Sequence, residues 1–236
     1  MSPVMPQFQP PPPFTKQLMI GVLVLYVLEL LAGGWIGVPM IELFGWVPTR
    51  NGFQLWQPLT HFFVQGTSPI FALLQILMLY FFVPPAQRQL GRKNVIKLFI
   101  WTVISCLVVG GLLIVSGAIT HQSPAVGLSP FLTALVVVFG LTHPNAQILL
   151  FFILPIQAIW LAWGSGLLAV LNFLFSRDLP SACLIAGWIA GYLILNPPKS
   201  LRKMWVRYKH QQRHNRIRRF SVIDGGKGSG DEETYH

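Results

Sequence analysis

Residues 127–142 read GLSPFLTALVVVFGLT, an apolar stretch of 16 residues without a charged side chain. At about 1.5 Å per residue, a helix of this length measures roughly 24 Å, whereas the hydrocarbon core of a bilayer is about 30 Å thick. One end of such a helix lies below the membrane surface, where backbone is tolerated only inside protein or a wet cavity. We therefore expect the connection 119–127 to dip inward and to place Ser129 at the submerged start of the helix.

The apolar character extends along most of the chain on both sides of this stretch. Of the 236 residues, 53% are hydrophobic and 10% are charged, and the mean hydropathy is +0.57. These values exclude a disordered chain and disfavour a soluble globule. Six runs with at most one charge each predict membrane-spanning helices: 17–33, 69–84, 96–118, 126–142, 147–175 and 180–196. The predicted fold is all-α, a polytopic bundle of six transmembrane helices.

Lysine and arginine residues predict the orientation of this bundle. One set of connections carries Lys16, Arg88, Arg92, Lys93 and the tail from Lys199, and the other set carries Arg50 and Arg177. Because positive residues concentrate on the cytoplasmic side, both termini are expected there, which an even number of spans allows. The chain shows no eukaryotic targeting signal, so we expect a multi-pass protein of the bacterial inner membrane.

Three regions follow from this layout: a proline-rich cytoplasmic N terminus at 1–16, a membrane domain at 17–197, and a basic, partly disordered cytoplasmic tail at 198–236. The tail holds most of the basic residues of a chain with a net charge of +10. Its basic and aromatic residues predict contact with anionic lipids. The residues expected to face the lipid are Arg202, Lys203, Trp205, Arg207 and Lys209. Nucleic acid is the alternative ligand, but the positive-inside bias already explains the charge, so none is expected.

The connection 34–68 is long and rich in apolar and aromatic residues, which predicts that it packs on the bundle and lies partly in the headgroup region. The aromatic side chains expected at the interface are Trp35, Phe44, Trp46 and Trp56. Just before this connection, Glu29 is a carboxylate within an apolar run. Interfacial exposure is the favoured explanation for Glu29, and a functional role is the alternative.

The two cysteines, Cys106 and Cys183, both lie in apolar runs. They are predicted to be buried free thiols, because two cysteines cannot form a disulfide framework. We predict no metal and no cofactor for this chain.

Four short motifs, taken in order, resemble those of the rhomboid family of intramembrane serine proteases. They are WQPLTHFF at 56–63, QLG at 89–91, GLS at 127–129 and AGWIAG at 186–191. The resemblance covers residues 17–197 and implies six spans with the N terminus inside, a long first external loop and a short fourth helix. The scaffold residues that it implies are Trp56, Gly127, Gly187 and Gly191.

The resemblance also assigns positions to the chemistry of a rhomboid protease, in which a histidine takes the proton of a nucleophilic serine. Ser129 falls at the nucleophile position, but Leu184 stands where the family has its histidine. A serine without a base is a weak nucleophile. The family's two oxyanion residues correspond to Phe71 and Gln75, of which only Gln75 can donate a hydrogen bond. Pro130 removes a backbone N–H beside the nucleophile.

Three hypotheses about function remain. We favour a catalytically inactive member that binds transmembrane segments of client proteins, in which Ser129 is the N-cap of a helix and Pro130 its first residue. The alternative is an active intramembrane serine endopeptidase that uses Ser129 with an unconventional base. His61 and His121 are the candidates on the external side, whereas His143 lies about 21 Å along the helix from Ser129. The third hypothesis is a transport or channel component, but the sequence lacks the paired intramembrane charges expected of one.

Overall fold

The computed structural model describes residues 11–47, 54, 56–66, 69–150 and 154–197. The helices that it contains are α1 (Pro13–Leu31), α2 (Met40–Phe44), α3 (Gln57–Thr60), α4 (Pro69–Leu90), α5 (Arg92–Val115), α6 (Ser129–Thr142), α7 (Ala158–Ser176) and α8 (Leu179–Leu195). A π-helical turn at Ala32–Ile36 continues α1, and two strands, β1 (Gln147–Leu150) and β2 (Leu154–Gln157), pair antiparallel between α6 and α7.

Four of these helices are long and apolar enough to cross a membrane: α1 with its π-helical turn, α4, α5 and α7. Many of their large apolar side chains are exposed, such as Leu73, Val108 and Leu168. Exposed apolar side chains are unfavourable in water, and lipid removes that cost. The chain is thus an integral membrane protein of mainly helical structure, as predicted. The helices α6 and α8 are apolar but shorter.

The helix α6 forms the centre of the bundle. It packs against α4, α5, α7 and α8, and residues on all its faces are buried, among them Ala134, Leu135, Val137 and Val138. A helix that is apolar all round is stable only when it is surrounded, which explains why this short segment lies inside. The observed start at Ser129 and end at Thr142 agree closely with the predicted run 126–142.

Two glycines of α8 allow its backbone to touch the backbone of α6. A Cβ on Gly187 would overlap the carbonyl group of Pro130, and a Cβ on Gly191 would lie 2.6 Å from the carbonyl oxygen of Ala134. Small residues at helix contacts are the main means by which membrane helices approach closely. These glycines therefore fix α8 against the first half of α6.

The predicted span 147–175 is wrong at its start. The segments Gln147–Leu150 and Leu154–Gln157 pair as the strands β1 and β2, and α7 begins only at Ala158, after the N-cap Gln157. Pro155 in β2 disfavours a continuous helix, because an interior proline removes a backbone hydrogen bond and clashes with the preceding turn. It is not sufficient by itself, since α4 contains Pro84 and Pro85.

The first span begins earlier than predicted, at Pro13 rather than residue 17. Proline is well suited to the first position of a helix, where its missing N–H has no intrahelical partner. The next residue, Phe14, packs under the guanidinium of Arg92, whose carbon lies 5.0 Å from the ring centroid. Residues 1–10 and the lipid-facing tail predicted at 198–236 lie outside the described residues.

The glycine contact between α6 and α8 predicts a specific loss of stability. Gly187→Ala should lower the free energy of unfolding by about 1–3 kcal/mol, because the added methyl group overpacks a closed contact. Gly111→Ala is the matched control, since no atom lies within 4 Å of its Cβ position. Unfolding of the purified protein in detergent micelles would measure both. Equal stability of the two variants would contradict the close contact.

Candidate functional site

Ser129 is the first residue of α6, and Leu128 is the N-cap. The prediction that the serine itself caps the helix is wrong by one residue, because Leu128 already approaches helical geometry after a sharp turn at Gly127. The Ser129 carbonyl accepts a hydrogen bond from the Thr133 hydroxyl at 2.9 Å. Its own hydroxyl is half-buried and makes no hydrogen bond within the described part of the chain.

The turn before Ser129 requires glycine. Gly127 has φ +86°, a left-handed conformation that is costly for a residue with a Cβ. Its amide donates to the carbonyl of His61 at 2.9 Å, and Ala125 exchanges two backbone hydrogen bonds with Trp46. Ala125, Gly127 and Leu128 are buried. The last part of the connection 119–127 therefore enters the protein. Its backbone groups pair with Trp46 and His61, which lie in the segment between α1 and α4.

Two glutamine side chains line the space beside this turn. The Cβ position of Gly127 lies 3.4 Å from Oε1 of Gln65 and from Nε2 of Gln75. Both side chains are buried, and both polar atoms of the Gln65 amide, together with Oε1 of Gln75, have no hydrogen-bond partner in the described structure. Buried amides without partners are unfavourable unless a ligand or water binds them. The structure thus brings Gln75 and Gly127 together two residues before Ser129, and it adds Gln65, which sequence reasoning missed.

The other residues assigned to the chemistry do not join this group. Phe71 lies on the outer face of α4, with 58% of its surface exposed. Leu184 is half-buried on α8, one turn before Gly187. Pro130 lies against Gly187. Among the described residues, no side chain is hydrogen-bonded to the Ser129 hydroxyl.

None of the described histidines is hydrogen-bonded to Ser129. The ring of His61 is fully buried and tilted against the ring of Phe62, with centroids 4.0 Å apart, and neither of its nitrogens has a hydrogen-bond partner among the described residues. His121 is exposed and contacts the hydroxyl of Thr120. His143 follows α6 at its far end and stacks on Phe139. The unconventional base of the protease hypothesis is therefore not formed by these three side chains in this structure.

Side chains of the motif at 56–63 donate hydrogen bonds to α2, within the segment between α1 and α4. Trp56 Nε1 donates to the Leu43 carbonyl at 3.0 Å, and the Thr60 hydroxyl donates to the Phe44 carbonyl at 2.8 Å. The Gln57 amide donates to the Glu42 carbonyl at 3.0 Å. These bonds satisfy carbonyls at the end of α2, so the contribution of Trp56 to the scaffold has a structural basis.

Trp46 corrects one prediction about this segment. Trp35, Phe44 and Trp56 are exposed, but Trp46 is a core residue with 1% of its surface exposed. Its ring fills the space over Gly110 of α5, where a Cβ would lie 2.6 Å from a ring carbon. The absence of a side chain at Gly110 creates the pocket for this indole, a pairing between distant residues that composition cannot reveal.

Glu29 is not only an exposed carboxylate at the interface, because it binds backbone amides of another segment. Its carboxylate accepts hydrogen bonds from the amides of Gln65 at 2.7 Å and Gly66 at 2.9 Å. These bonds attach α1 to the segment that carries Gln65 to the start of α6. Backbone amides near a membrane need such partners, and a carboxylate is a strong one.

A second carboxylate, Asp178, begins α8 on the side of the 119–125 connection. Burial disfavours its charged form, but hydrogen bonds from the hydroxyls of Ser181 and Ser176 outweigh this effect and lower the pKa of Asp178. The amide of Ser181 also donates to this carboxylate, which is therefore the N-cap of α8. The neighbouring carbonyl of Arg177 accepts the amides of Thr120 and His121.

No protein-family model and no curated protein matches this chain. The resemblance to rhomboids therefore stays a prediction from the ordered sequence motifs.

The Glu29 contact predicts an effect on stability. Glu29→Ala should lower the free energy of unfolding in micelles by about 1.5–3 kcal/mol, the usual contribution of a hydrogen bond to a charged group. Glu42→Ala removes the same charge from an exposed position on α2 and is the control. Thermal unfolding of both variants measures the difference. A loss of similar size in Glu42→Ala would contradict the assigned role of Glu29.

Proposed function

We propose that this chain is a rhomboid-like protein of six membrane-spanning helices that has no protease activity and binds transmembrane segments of other proteins. The observation that carries the proposal is a Ser129 hydroxyl to which no described side chain is hydrogen-bonded, in a bundle whose α6 and α8 are in backbone contact. Hydrolysis of a peptide bond needs an acceptor for the serine proton. Leu184 cannot supply one, and the buried ring of His61 makes no hydrogen bond to the hydroxyl.

The proposed orientation has both termini in the cytoplasm of a bacterial cell, with the bundle in the inner membrane. It is supported by the contact between Phe14 and Arg92, which puts the starts of α1 and α5 at the same end of the bundle. Lys16 and Lys93 follow these starts closely. Basic residues gathered at one end are typical of the cytoplasmic side. The shorter helices α6 and α8 complete the six proposed spans.

Binding of a transmembrane segment is supported by an apolar cleft of about 280 Å³. One wall is formed by α1 and another by α5, and the inner end reaches the start of α6. Its apolar lining includes Leu18, Gly21, Val22, Leu25, Val95, Ile96, Phe99, Leu128 and Phe131. Side chains of a partner helix fit such a cleft through van der Waals packing, the main attraction between helices in lipid.

Gly21 gives this cleft an approach site for a partner backbone. It lies in the cleft wall on α1, and no atom lies within 4 Å of its Cβ position. A glycine with open space beside it, facing lipid, permits close helix contact. At the inner end of the cleft lies the buried side chain of Gln65, whose amide has no hydrogen-bond partner among the described residues.

The proposal includes contact of the basic tail with anionic lipids, and no nucleic acid. It rests on the aromatic and basic pattern of residues 201–209 in the sequence. A basic juxtamembrane segment gains about 1 kcal/mol per lysine or arginine at an anionic leaflet.

Loss of protease activity is testable with a fluorophosphonate, which reacts with activated serines. The full chain in detergent should show no labelling that depends on Ser129, because no base activates the hydroxyl. Wild type and Ser129→Ala are to be compared by gel fluorescence, with equal signals expected. Labelling of the wild type that disappears in the variant would favour the endopeptidase alternative.

Client binding is testable by photocrosslinking from the cleft. A photoreactive residue in place of Ile96 should crosslink an apolar single-span helix in vesicles more efficiently than the same residue in place of Ile104. Both isoleucines lie on α5 and are 43% exposed, but only Ile96 lines the cleft. Gly21→Phe should reduce the Ile96 product by filling the cleft. Equal products from both positions would indicate contact with lipid-facing surfaces in general and would overturn the proposed site.

A further inference from the structure

Three side chains with metal-ligating atoms meet inside the bundle. His61 comes from the segment after α3, Cys106 from α5 and Cys183 from α8. One nitrogen of the histidine and the two sulfur atoms all lie within 4.8 Å of one another. All three residues are buried, with at most 1% of their surface exposed. The cluster therefore unites parts of the chain that are more than 40 residues apart in sequence.

Protein hydrogen bonds do not satisfy this cluster. Neither Nδ1 nor Nε2 of His61 has a hydrogen-bond partner in the described structure. The thiol of Cys106 donates to the carbonyl of Cys183 at 3.7 Å, and both sulfur atoms lie within 4.8 Å of a His61 nitrogen. A fully buried imidazole without a partner loses its hydration and gains nothing in exchange. Such unsatisfied groups in a native interior call for a ligand, and an ion is one that would fit.

We propose that His61, Cys106 and Cys183 bind a thiophilic metal ion, and that this ion is Zn²⁺. Thiolate and imidazole ligands select zinc or monovalent copper over the hard cations. Charge decides between the two in a membrane interior, where a net charge is costly. Zn²⁺ with two thiolates and a neutral imidazole is neutral, whereas Cu⁺ with the same ligands carries one negative charge.

Binding of the ion changes the protonation of the cluster in a defined way. Each thiol loses its proton when its sulfur becomes a ligand, so two protons leave for each Zn²⁺ bound, and the imidazole binds in its neutral form. Three protein ligands leave the fourth position of a tetrahedral ion to a water molecule or another small group. No electron is transferred in this step.

The ion would join the external segment to α5 and α8 at one point. His61 lies next to Trp46, with ring centroids 5.7 Å apart, and its carbonyl holds the amide of Gly127. None of the three ligands lines the cleft, but the ring of His61 packs against Phe62, which does. Because the ion would tie three parts of the chain together, Zn²⁺ should raise the midpoint of thermal unfolding of the full chain.

The test uses the full-length protein in detergent, reduced, freed of metal by a chelator and titrated with Co²⁺. We expect one Co²⁺ per chain, with the sulfur-to-cobalt charge-transfer absorption of thiolate ligands and loss of that absorption when Zn²⁺ is added. Cys106→Ala and Cys183→Ala should each weaken Co²⁺ binding by at least about tenfold and reduce the thiolate absorption. His121→Ala removes an exposed histidine outside the cluster and should bind Co²⁺ as the wild type does.

A measurement on the wild type alone guards against variants that fail to fold. Zinc X-ray absorption of the loaded protein should show two sulfur neighbours at about 2.3 Å and one imidazole nitrogen. A shell of nitrogen and oxygen only would overturn the proposal, as would full thiolate absorption in Cys106→Ala. Uptake of Cu⁺ by the cluster without uptake of Zn²⁺ would overturn the assignment of the ion.

Discussion

The backbones of α6 and α8 touch at Gly187 and Gly191, where no side chain separates the two helices. In lipid, burial of apolar surface drives helix association only weakly, because the tails are as apolar as the side chains, so close packing must replace it. This contact fixes the height and rotation of α8 against α6. It thereby sets the position of Leu184 relative to Ser129 and turns Cys183 towards α5. The centre of the bundle and both candidate sites depend on it.

A second constraint is the pairing of polar backbone in an apolar environment. The described part of the segment between α1 and α4 contains only short helices, and side chains such as Glu29, Gln57 and Thr60 bind its backbone groups. The amide of Gly127 is paired with the carbonyl of His61 in the same way. Unpaired groups at this depth would each cost several kcal/mol. The side-chain amide of Gln65 and Oε1 of Gln75 have no hydrogen-bond partner among the described residues.

The sequence predicts a helical membrane protein, because each long apolar run without charges can be recognised from its own residues alone. It also predicts the short central helix, whose apolar faces and length are visible in residues 127–142. Prediction from sequence fails where the surroundings of a side chain are set by residues distant in the chain. The burial of Trp46 depends on Gly110 of α5, and the cluster around His61 depends on cysteines 45 and 122 positions further along the chain. Pro155 is a local indication against a helix at residues 147–157, but the uncharged apolar run 147–175 favoured a single span.

The pocket that receives Trp46 also constrains the order in which the protein is made. Trp46 precedes α4 in sequence, yet its ring packs on Gly110 in α5, next to the side chain of Leu179 at the start of α8. During synthesis, the external segment emerges before the helices that cover it. A chain that ends before α8 lacks Leu179, whose side chain lies with the indole beside Gly110, so this part of the core is not yet filled. The packing around Trp46 is therefore completed by the last described helix.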